Sequence, residues 1–336
     1  MEKTEDVLRI GLVGLGYFAR FHRDAWNRLD GATLVAAADR DPETGADFAD
    51  LGAMLDAHPI DVVDIATPPH THEEAIMTAL AARPRAIVCQ KPFCSEYGQA
   101  RDVVAAAEDA GVPLIVHENF RFQPWFRTMK AALDDGLVGR PLQLTFRLRT
   151  GDGRGPDAYS ARQPYFRTMP RFLMHETGVH YVDTFRYLLG EPGGLYADLR
   201  RLNPAIMGED AGLVVLEFAD EMRAVLDANR LADFDADETR RTFGEALLEG
   251  EDGTIALTGD GAVTVRAHGT QARRTLLAAR DWPGFAGDCV LAFQRHVLDR
   301  LNGRGPLETA ARDYLRNLEL VAATYASAER GARVEL

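Results

Sequence analysis

The feature that most constrains this chain is an alternation across residues 7–118, where five short apolar runs are separated by stretches with helical spacing. Val7 to Val13, Leu34 to Ala38, Val62 to Ala66, Ala86 to Cys89 and Pro113 to Val116 have the unbroken apolar character of strands buried on both faces. Between them Phe18 to Leu29, His72 to Ala82 and Tyr97 to Ala110 carry helical spacing, and Gly111 and Pro113 stop the last of them. Parallel neighbours need a crossover, so this series predicts an α/β domain built on a doubly wound parallel sheet.

The rhythm changes near residue 120. Pro124 to Leu133 reads as a helix and Pro141 to Arg149 as an alternating strand. Leu213 to Phe218, Arg223 to Ala228, Gly244 to Glu249, Thr254 to Thr258 and Ala262 to Ala267 then read as strands joined by short Gly and Asp turns. Helical spacing returns over Phe172 to Leu189, Val290 to Leu301 and Thr309 to Arg330. The expected division is therefore 1–120 and 121–336, the second part an α+β domain with a large, mostly antiparallel open sheet.

Composition narrows the function classes. A net charge of −13 opposes a nucleic-acid partner, whose phosphates are met by clustered Lys and Arg. No apolar run approaches the ~20 residues that span a bilayer, and Met1 to Asp6 carries neither a basic nor an apolar leader segment, so the expectation is a cytoplasmic protein with no membrane partner. Cys89, Cys94 and Cys289 form no Cys-x-x-Cys pair and read as buried small hydrophobes.

The first chemical signal is Gly14-x-Gly16-x-x-Ala19, which follows a strand and opens a helix. Glycine permits the tight turn and lets backbone N–H groups and the helix N-terminus meet a pyrophosphate. Tyr17 and Phe18 complete this expected cofactor loop, and Asp39, at the end of the second strand, stands where a carboxylate accepts ribose hydroxyls. Together they predict a Rossmann domain. Asp39 opposes the 2′-phosphate of NADP, which makes NAD the expected cofactor; Arg40 keeps NADP as the alternative, because a guanidinium there can pair with that phosphate or stack on adenine.

Three further clusters stand in order along the chain: Thr67-Pro68-Pro69-His70-Thr71-His72 after the third strand, Gln90-Lys91-Pro92 after the fourth, and Glu176-x-Gly178-x-His180-x-x-Asp183 in the second part. With the glycine loop, the Asn119-x-Arg121-Phe122 segment and the Gly136-x-x-Gly139-x-Pro141 turn, the chain resembles the glucose-fructose oxidoreductase and inositol dehydrogenase family, Gfo/Idh/MocA, over nearly its whole length. The resemblance implies an NAD-dependent oxidoreductase acting on a CH–OH group of a sugar, polyol or sugar acid. It implies that Thr67, Pro68 and His72 line the nicotinamide side, that Gln90 and Lys91 border the cofactor, and that Lys91 reaches the substrate. Asn119, Arg121 and Asp183 are carried over as substrate contacts, and a homodimer or homotetramer is implied. The family's usual tripeptide is Glu-Lys-Pro, so Gln90 is a departure, and Glu176 stands where many relatives carry Asp.

Glu176, His180 and Asp183 are spaced i, i+4, i+7, which on an α-helix places them on one face. His180 is the expected general base, imidazole being the side chain that exchanges protons most readily near neutral pH, Lys91 the cation that polarises the substrate oxygen, and Glu176 the residue that orients them. His175 and His180 are five apart instead of four, so no metal site is expected. Six arginines, 147, 149, 154, 162, 167 and 171, against Asp152 and Asp157 suggest an anionic substrate such as an aldonate; a solvated basic loop is the equal alternative. Tyr165 and Arg167 are the expected substrate contacts in that segment. An oxidoisomerase, lyase or hydrolase that retains NAD for transient oxidation is the second functional class, and a non-catalytic dinucleotide sensor the third.

Overall fold

A computed structural model describes residues 7–161 and 163–336. Two compact units divide it. The first runs to Asn119 through β1 (Leu8–Val13), α1 (Ala19–Asn27), β2 (Ala32–Ala38), α2 (Leu51–Ala57), β3 (Val62–Ile65), α3 (His72–Ala82), β4 (Ala86–Gln90), α4 (Tyr97–Ala110) and β5 (Leu114–His117). All five strands are parallel, in the order β2-β1-β3-β4-β5. Every residue of β3, β4 and β5 is buried, which is why these strands read as continuous apolar runs. The chain leaves β1 towards one edge and returns to its other side at β3, so the winding reverses between the carboxyl ends of β1 and β3.

Local signals set the helix limits. Glu96 and Gln99 form a reciprocal capping box at the start of α4, and Gly111 ends it in the left-handed region at φ 68°. Helix α2 was not expected from the sequence. It has seven residues, of which Leu51 and Met54 are buried, too few for a periodic stripe to show, and the Asp50 carboxylate caps it by accepting from Ala53 N at 2.8 Å.

The second unit contains α5 (Pro124–Asp134), β6 (Pro141–Leu148), α6 (Val179–Leu189), β7 (Gly194–Arg200), β8 (Ala211–Glu217), β9 (Arg223–Asn229), the one-turn α7 (Thr239–Thr242), β10 (Gly244–Gly250), β11 (Gly253–Leu257), β12 (Val263–Ala267) and β13 (Arg274–Leu277). Helix α8 (Cys289–Leu301) and the start of α9 (Ala311–Arg330) belong to the first unit, whereas the rest of α9 and β14 (Val334–Glu335) belong to the second. A single division at 120 misses this return. Its cause is packing: α8 lies against α1, Leu298 sits under Gly31, and Val116 N donates to Thr309 O at 2.9 Å.

Nine strands form the second sheet, in the order β13-β12-β11-β10-β6-β9-β8-β7-β14. All neighbours are antiparallel except β6 and β9, which run parallel. Strand β13 escaped the sequence reading because none of its residues is buried, which leaves no alternation to detect. The long helix expected over Phe172 to Leu189 is two structures: a π-helical turn, Leu173–Gly178, followed by α6.

One face of the sheet is a core of Leu144, Phe146, Leu148, Val214, Leu216, Leu226 and Leu248. The Phe146 ring lies 4.2 Å from that of Tyr181 on α6 and 6.1 Å from that of Phe126 on α5. Truncation there leaves a cavity between sheet and helices, so Phe146→Ala is expected to lower stability by about 3–5 kcal/mol, read as a shift in the denaturant midpoint.

Candidate active site

The glycine loop is shaped by crowding on one side and space on the other. Gly14 adopts φ +88°, and a Cβ on it would lie 2.8 Å from Thr67 Cγ2 and 2.9 Å from Ala66 C and Thr67 N. Apart from its chain neighbours, no atom of the described residues lies within 4 Å of a Cβ built on Gly16. The first position therefore needs glycine for close backbone packing, and the second leaves room for a group to approach. Phe18 begins α1 without a side-chain capping bond, and the first turn holds no acid, so its backbone donors and positive end suit an anion. Tyr17 carries the Arg20 guanidinium over its ring at 4.2 Å, while Phe18 packs edge-on to His22 at 5.7 Å.

Asp39 stands beside this loop and shapes it. Its Oδ2 accepts from Leu15 N at 2.6 Å and its Oδ1 from Asp41 N at 2.8 Å, so each oxygen keeps acceptor capacity for a ribose hydroxyl. Arg40 pairs with Glu74 at 3.1 Å, which directs its guanidinium to a carboxylate. These features fit NAD: amides and open space for the pyrophosphate, a carboxylate for the ribose, and an arginine already partnered.

The Thr67–Pro68 turn is held from behind. Thr71 Oγ1 donates to Thr67 Oγ1 at 2.7 Å and reaches Pro68 O at 2.8 Å. His72, expected at the nicotinamide side, is instead fully buried, with Nδ1 2.9 Å from Phe93 O and Nε2 2.7 Å from Thr67 O. It is a brace between two loops. Gln90, expected beside the cofactor, also turns inward: its Nε2 lies 3.0 Å from His22 Nε2, and its Oε1 accepts from Lys91 N at 2.7 Å. Lys91 is half-buried at the carboxyl end of β4, where open α/β sheets bind ligands.

In the second unit His180 is buried at the start of α6, and its ring stacks on Phe120 with centroids 3.8 Å apart and planes 6° from parallel. Glu176 lies in the π-helical turn, so the i, i+4 geometry of a regular α-helix does not apply to the pair. The turn has identifiable supports. Glu209 accepts from Phe172 N at 3.2 Å, Met174 N at 3.0 Å and Tyr325 Oη at 2.5 Å, while Tyr325 Oη accepts from His175 N at 3.2 Å. A Cβ on Gly178 would lie 2.5 Å from Met174 Sδ and Cε, the far end of a flexible side chain that can move aside, and 3.5 Å from Leu173 O.

Several expected substrate contacts have other duties. Arg121 and Asp183 form a bidentate pair with both bonds at 2.7 Å, which ties the segment holding Phe120 to the helix holding His180. Asn119, in the first unit, donates to Cys289 Sγ at 3.1 Å. Arg167 staples its own loop through Pro156 O and Ala158 O at 2.7 and 2.9 Å, and Tyr165 Oη accepts from Gln163 at 3.1 Å. The excess of arginines is likewise spent. Arg147 pairs with Glu245, Arg149 with Asp227, Arg154 with Asp233 and Arg171 with Glu329; Arg162 lies outside the described residues. Four of the six arginines are thus in ion pairs, so the segment's net charge alone is not an argument for an anionic substrate.

The sequence reading missed the buried groups behind the site: His22, Trp26 and Asp64 in the first unit, and Glu209, Arg230 and Tyr325 in the second. A signal existed for Asp64, a carboxylate inside the apolar run Val62–Ile65, since a buried charge requires partners. Arg230 gave none; it is buried with Asp152 at 2.7 Å and Thr177 Oγ1 at 2.8 Å. Among the described residues, no cluster of three His, Cys, Asp or Glu could hold a metal ion, and no helix is long and apolar enough to cross a membrane.

Residues 8–118 match an oxidoreductase family model with an NAD-binding Rossmann fold, and residues 126–271 match the GFO/IDH/MocA C-terminal domain. The chain belongs to the GFO/IDH/MocA family. As a member it is an NAD-dependent oxidoreductase. This GFO/IDH/MocA chain is 37% identical to D-apiose dehydrogenase of Paraburkholderia graminis, over 97% of this chain and 88% of that protein. It is 34% identical to D-apiose dehydrogenase of Rhizobium rhizogenes, over 100% and 99%. Among solved structures it is similar to an oxidoreductase from Agrobacterium radiobacter in complex with NAD+, L-tartaric acid and magnesium, at 31% identity, 98% coverage of both chains and a TM-score of 0.88.

Burial holds the His72 imidazole below its ordinary value, outweighing the backbone carbonyls of Phe93, Thr67 and Pro92 that favour its charged form. In the unfolded chain the ring takes a proton near pH 6.5, and in the folded chain only at lower pH. The stability gained is therefore complete above about pH 6.5 and is lost as pH falls through the depressed folded value. His72→Gln is expected to show a smaller drop in Tm between about pH 7 and 5 than the parent; equal drops would contradict this.

Proposed function

We propose that this chain oxidises a CH–OH group of a small neutral sugar, of the kind for which its D-apiose dehydrogenase relatives are named. The observation that carries the reading is Lys91 at the mouth of the same sheet whose switch point holds the glycine cradle. Gly14, Gly16 and the start of α1 would hold the pyrophosphate, Asp39 the adenosine ribose, and Thr67 and Pro68 the nicotinamide side. Bound NAD supplies the hydride acceptor.

Lys91 draws electron density from the substrate oxygen and stabilises charge as the O–H bond breaks. His180 takes that proton, while the C–H electron pair leaves as hydride, so the carbinol becomes a carbonyl. The stack on Phe120 keeps the imidazole plane fixed, and the Arg121–Asp183 pair keeps the stack in register. A neutral sugar is favoured over an aldonate because four of the basic segment's arginines already face carboxylates.

With D-apiose, other pentoses, polyols and aldonates as substrates, NADH is expected to accumulate with a neutral sugar. Lys91→Ala and His180→Ala should each reduce kcat by about 10²–10⁴-fold while NAD affinity stays near the parent's. Full activity in either variant defeats the assignment, preference for an aldonate defeats the neutral sugar, and turnover without NADH accumulation replaces net oxidation with transient oxidation.

We also propose that a second copy of the chain covers the open face of the nine-stranded sheet. Tyr196, Val215, Val225, Thr145, Leu247 and Ala256 stand in register across six strands, and Tyr196, Leu213 and Leu247 are 38%, 42% and 40% exposed. Such an apolar row on an open face fits a symmetric partner. Leu247→Asp should lower the mass measured by light scattering to that of one chain; a parent that is already monomeric ends the proposal.

A further inference from the structure

We propose that Gln90 is a positioning residue that sets Lys91 through a buried chain of hydrogen bonds, Asp64–His22–Gln90–Lys91, whose proton positions are fixed from both ends. The proposal rests on the reading that Lys91 acts on the substrate. At one end the Lys91 backbone N–H can only donate, and it meets Gln90 Oε1 at 2.7 Å. The amide oxygen is thereby assigned, so the Gln90 NH₂ faces His22 Nε2 at 3.0 Å. An NH₂ group also only donates, so His22 Nε2 carries no hydrogen and accepts. A neutral imidazole then bears its proton on Nδ1, which lies 2.8 Å from Asp64 Oδ2. At the other end the Trp26 indole N–H, again only a donor, reaches the same Oδ2 at 2.7 Å. Every link matches a donor to an acceptor. Turning the Gln90 amide over would set its NH₂ against the Lys91 N–H.

The chain is rigid as well as matched. His22, Trp26 and Asp64 are fully buried and Gln90 nearly so. The His22 ring stacks on His117 at 4.1 Å, and Gln294 Nε2 donates to His22 O at 3.3 Å. Asp64 on β3 and His117 on β5 are the titratable groups against the His22 ring; Cys89 and Lys91 flank Gln90, and α8 contributes the neutral Gln294. His22 and Trp26 belong to α1, the helix that the glycine loop opens. Through Gln90 the lysine backbone is thus fastened to the helix whose N-terminus suits the pyrophosphate.

A glutamate at 90 breaks this match. Its second oxygen has no hydrogen to offer the bare Nε2, so the buried cluster must take one proton from solvent, shared among the new carboxyl, His22 and Asp64, to restore the chain. Leucine at 90 supplies neither the acceptor for Lys91 N–H nor the donor for His22, and protons cannot restore it.

The test uses the full chain with histidine labelled by ¹⁵N, the His22 signal being assigned by its loss in His22→Asn. In the parent, His22 is expected as the neutral ring with hydrogen on Nδ1; hydrogen on Nε2, or a doubly protonated ring, overturns the proposal. Gln90→Leu should lower kcat on the order of ten- to a hundredfold at every pH while NAD binding, followed by fluorescence, stays unchanged. Gln90→Glu should approach parental kcat at low pH and lose it relative to the parent as pH rises. Parental kcat in Gln90→Leu, or a pH-independent ratio in Gln90→Glu, also overturns it. Lys91→Ala separates the two readings: if it retains full activity the role of Lys91 falls, while the ring signal still tests the chain; if it is inactive and both Gln90 variants match the parent, positioning by Gln90 falls and Lys91 stands.

Discussion

The close approach of two backbones at the reversal of the first sheet is the constraint on which the candidate site depends. Gly14 lies so near Ala66 and Thr67 that the smallest side chain would collide with backbone atoms. That contact brings the loops after β1 and β3 together, so the glycine loop and the Thr67–Pro68 turn share one wall. The other supports follow from it. Asp39 fastens the glycine loop through Leu15 N, and His72 fastens the Thr67 turn to the segment after Lys91 through Phe93 O. Neither side chain has to touch the reacting atoms to matter, because each limits how far a loop can move from its neighbour.

What was legible in the sequence was whatever repeats. Buried parallel strands announce themselves by unbroken apolar runs, and α4 by its capping box and closing glycine. The glycine loop was legible too, since glycine spacing reports backbone conformation directly. Elements without a buried period stayed hidden: the seven-residue α2, the exposed β13, and the return of α8 to the first unit, which depends on contacts far apart in the chain. The π-helical turn was hidden for a different reason. Its residues have ordinary helical spacing, and the groups that brace it, Glu209 and Tyr325, come from distant segments.

Charge was the least reliable guide. Counting arginines in residues 147–171 gave a basic segment, yet the carboxylates that answer Arg147, Arg149, Arg154 and Arg171 come from residues 227–329. The same holds for Arg121 and Asp183, which as isolated residues resemble substrate contacts and together form a structural fork. A net charge over a window ignores partners outside it. A single acid inside an apolar strand is more informative, because burial makes its need for donors unavoidable; Asp64 is that residue, and His22 and Trp26 answer it.

The parallel pairing of β6 with β9 carries a consequence for how the second unit assembles. Leu148 sits beside Ala228, and the intervening chain includes the π-helical turn, α6, β7 and β8. Parallel neighbours cannot be joined by a hairpin, so the centre of this sheet closes only after a long excursion has been ordered, and the entropy of closing that loop is spent before the pairing rewards it. The residues around Glu176 and His180 thus lie within a long detour in the sheet's assembly, so a substitution made there to probe chemistry also falls on the stretch that must be ordered before the strands on either side pair.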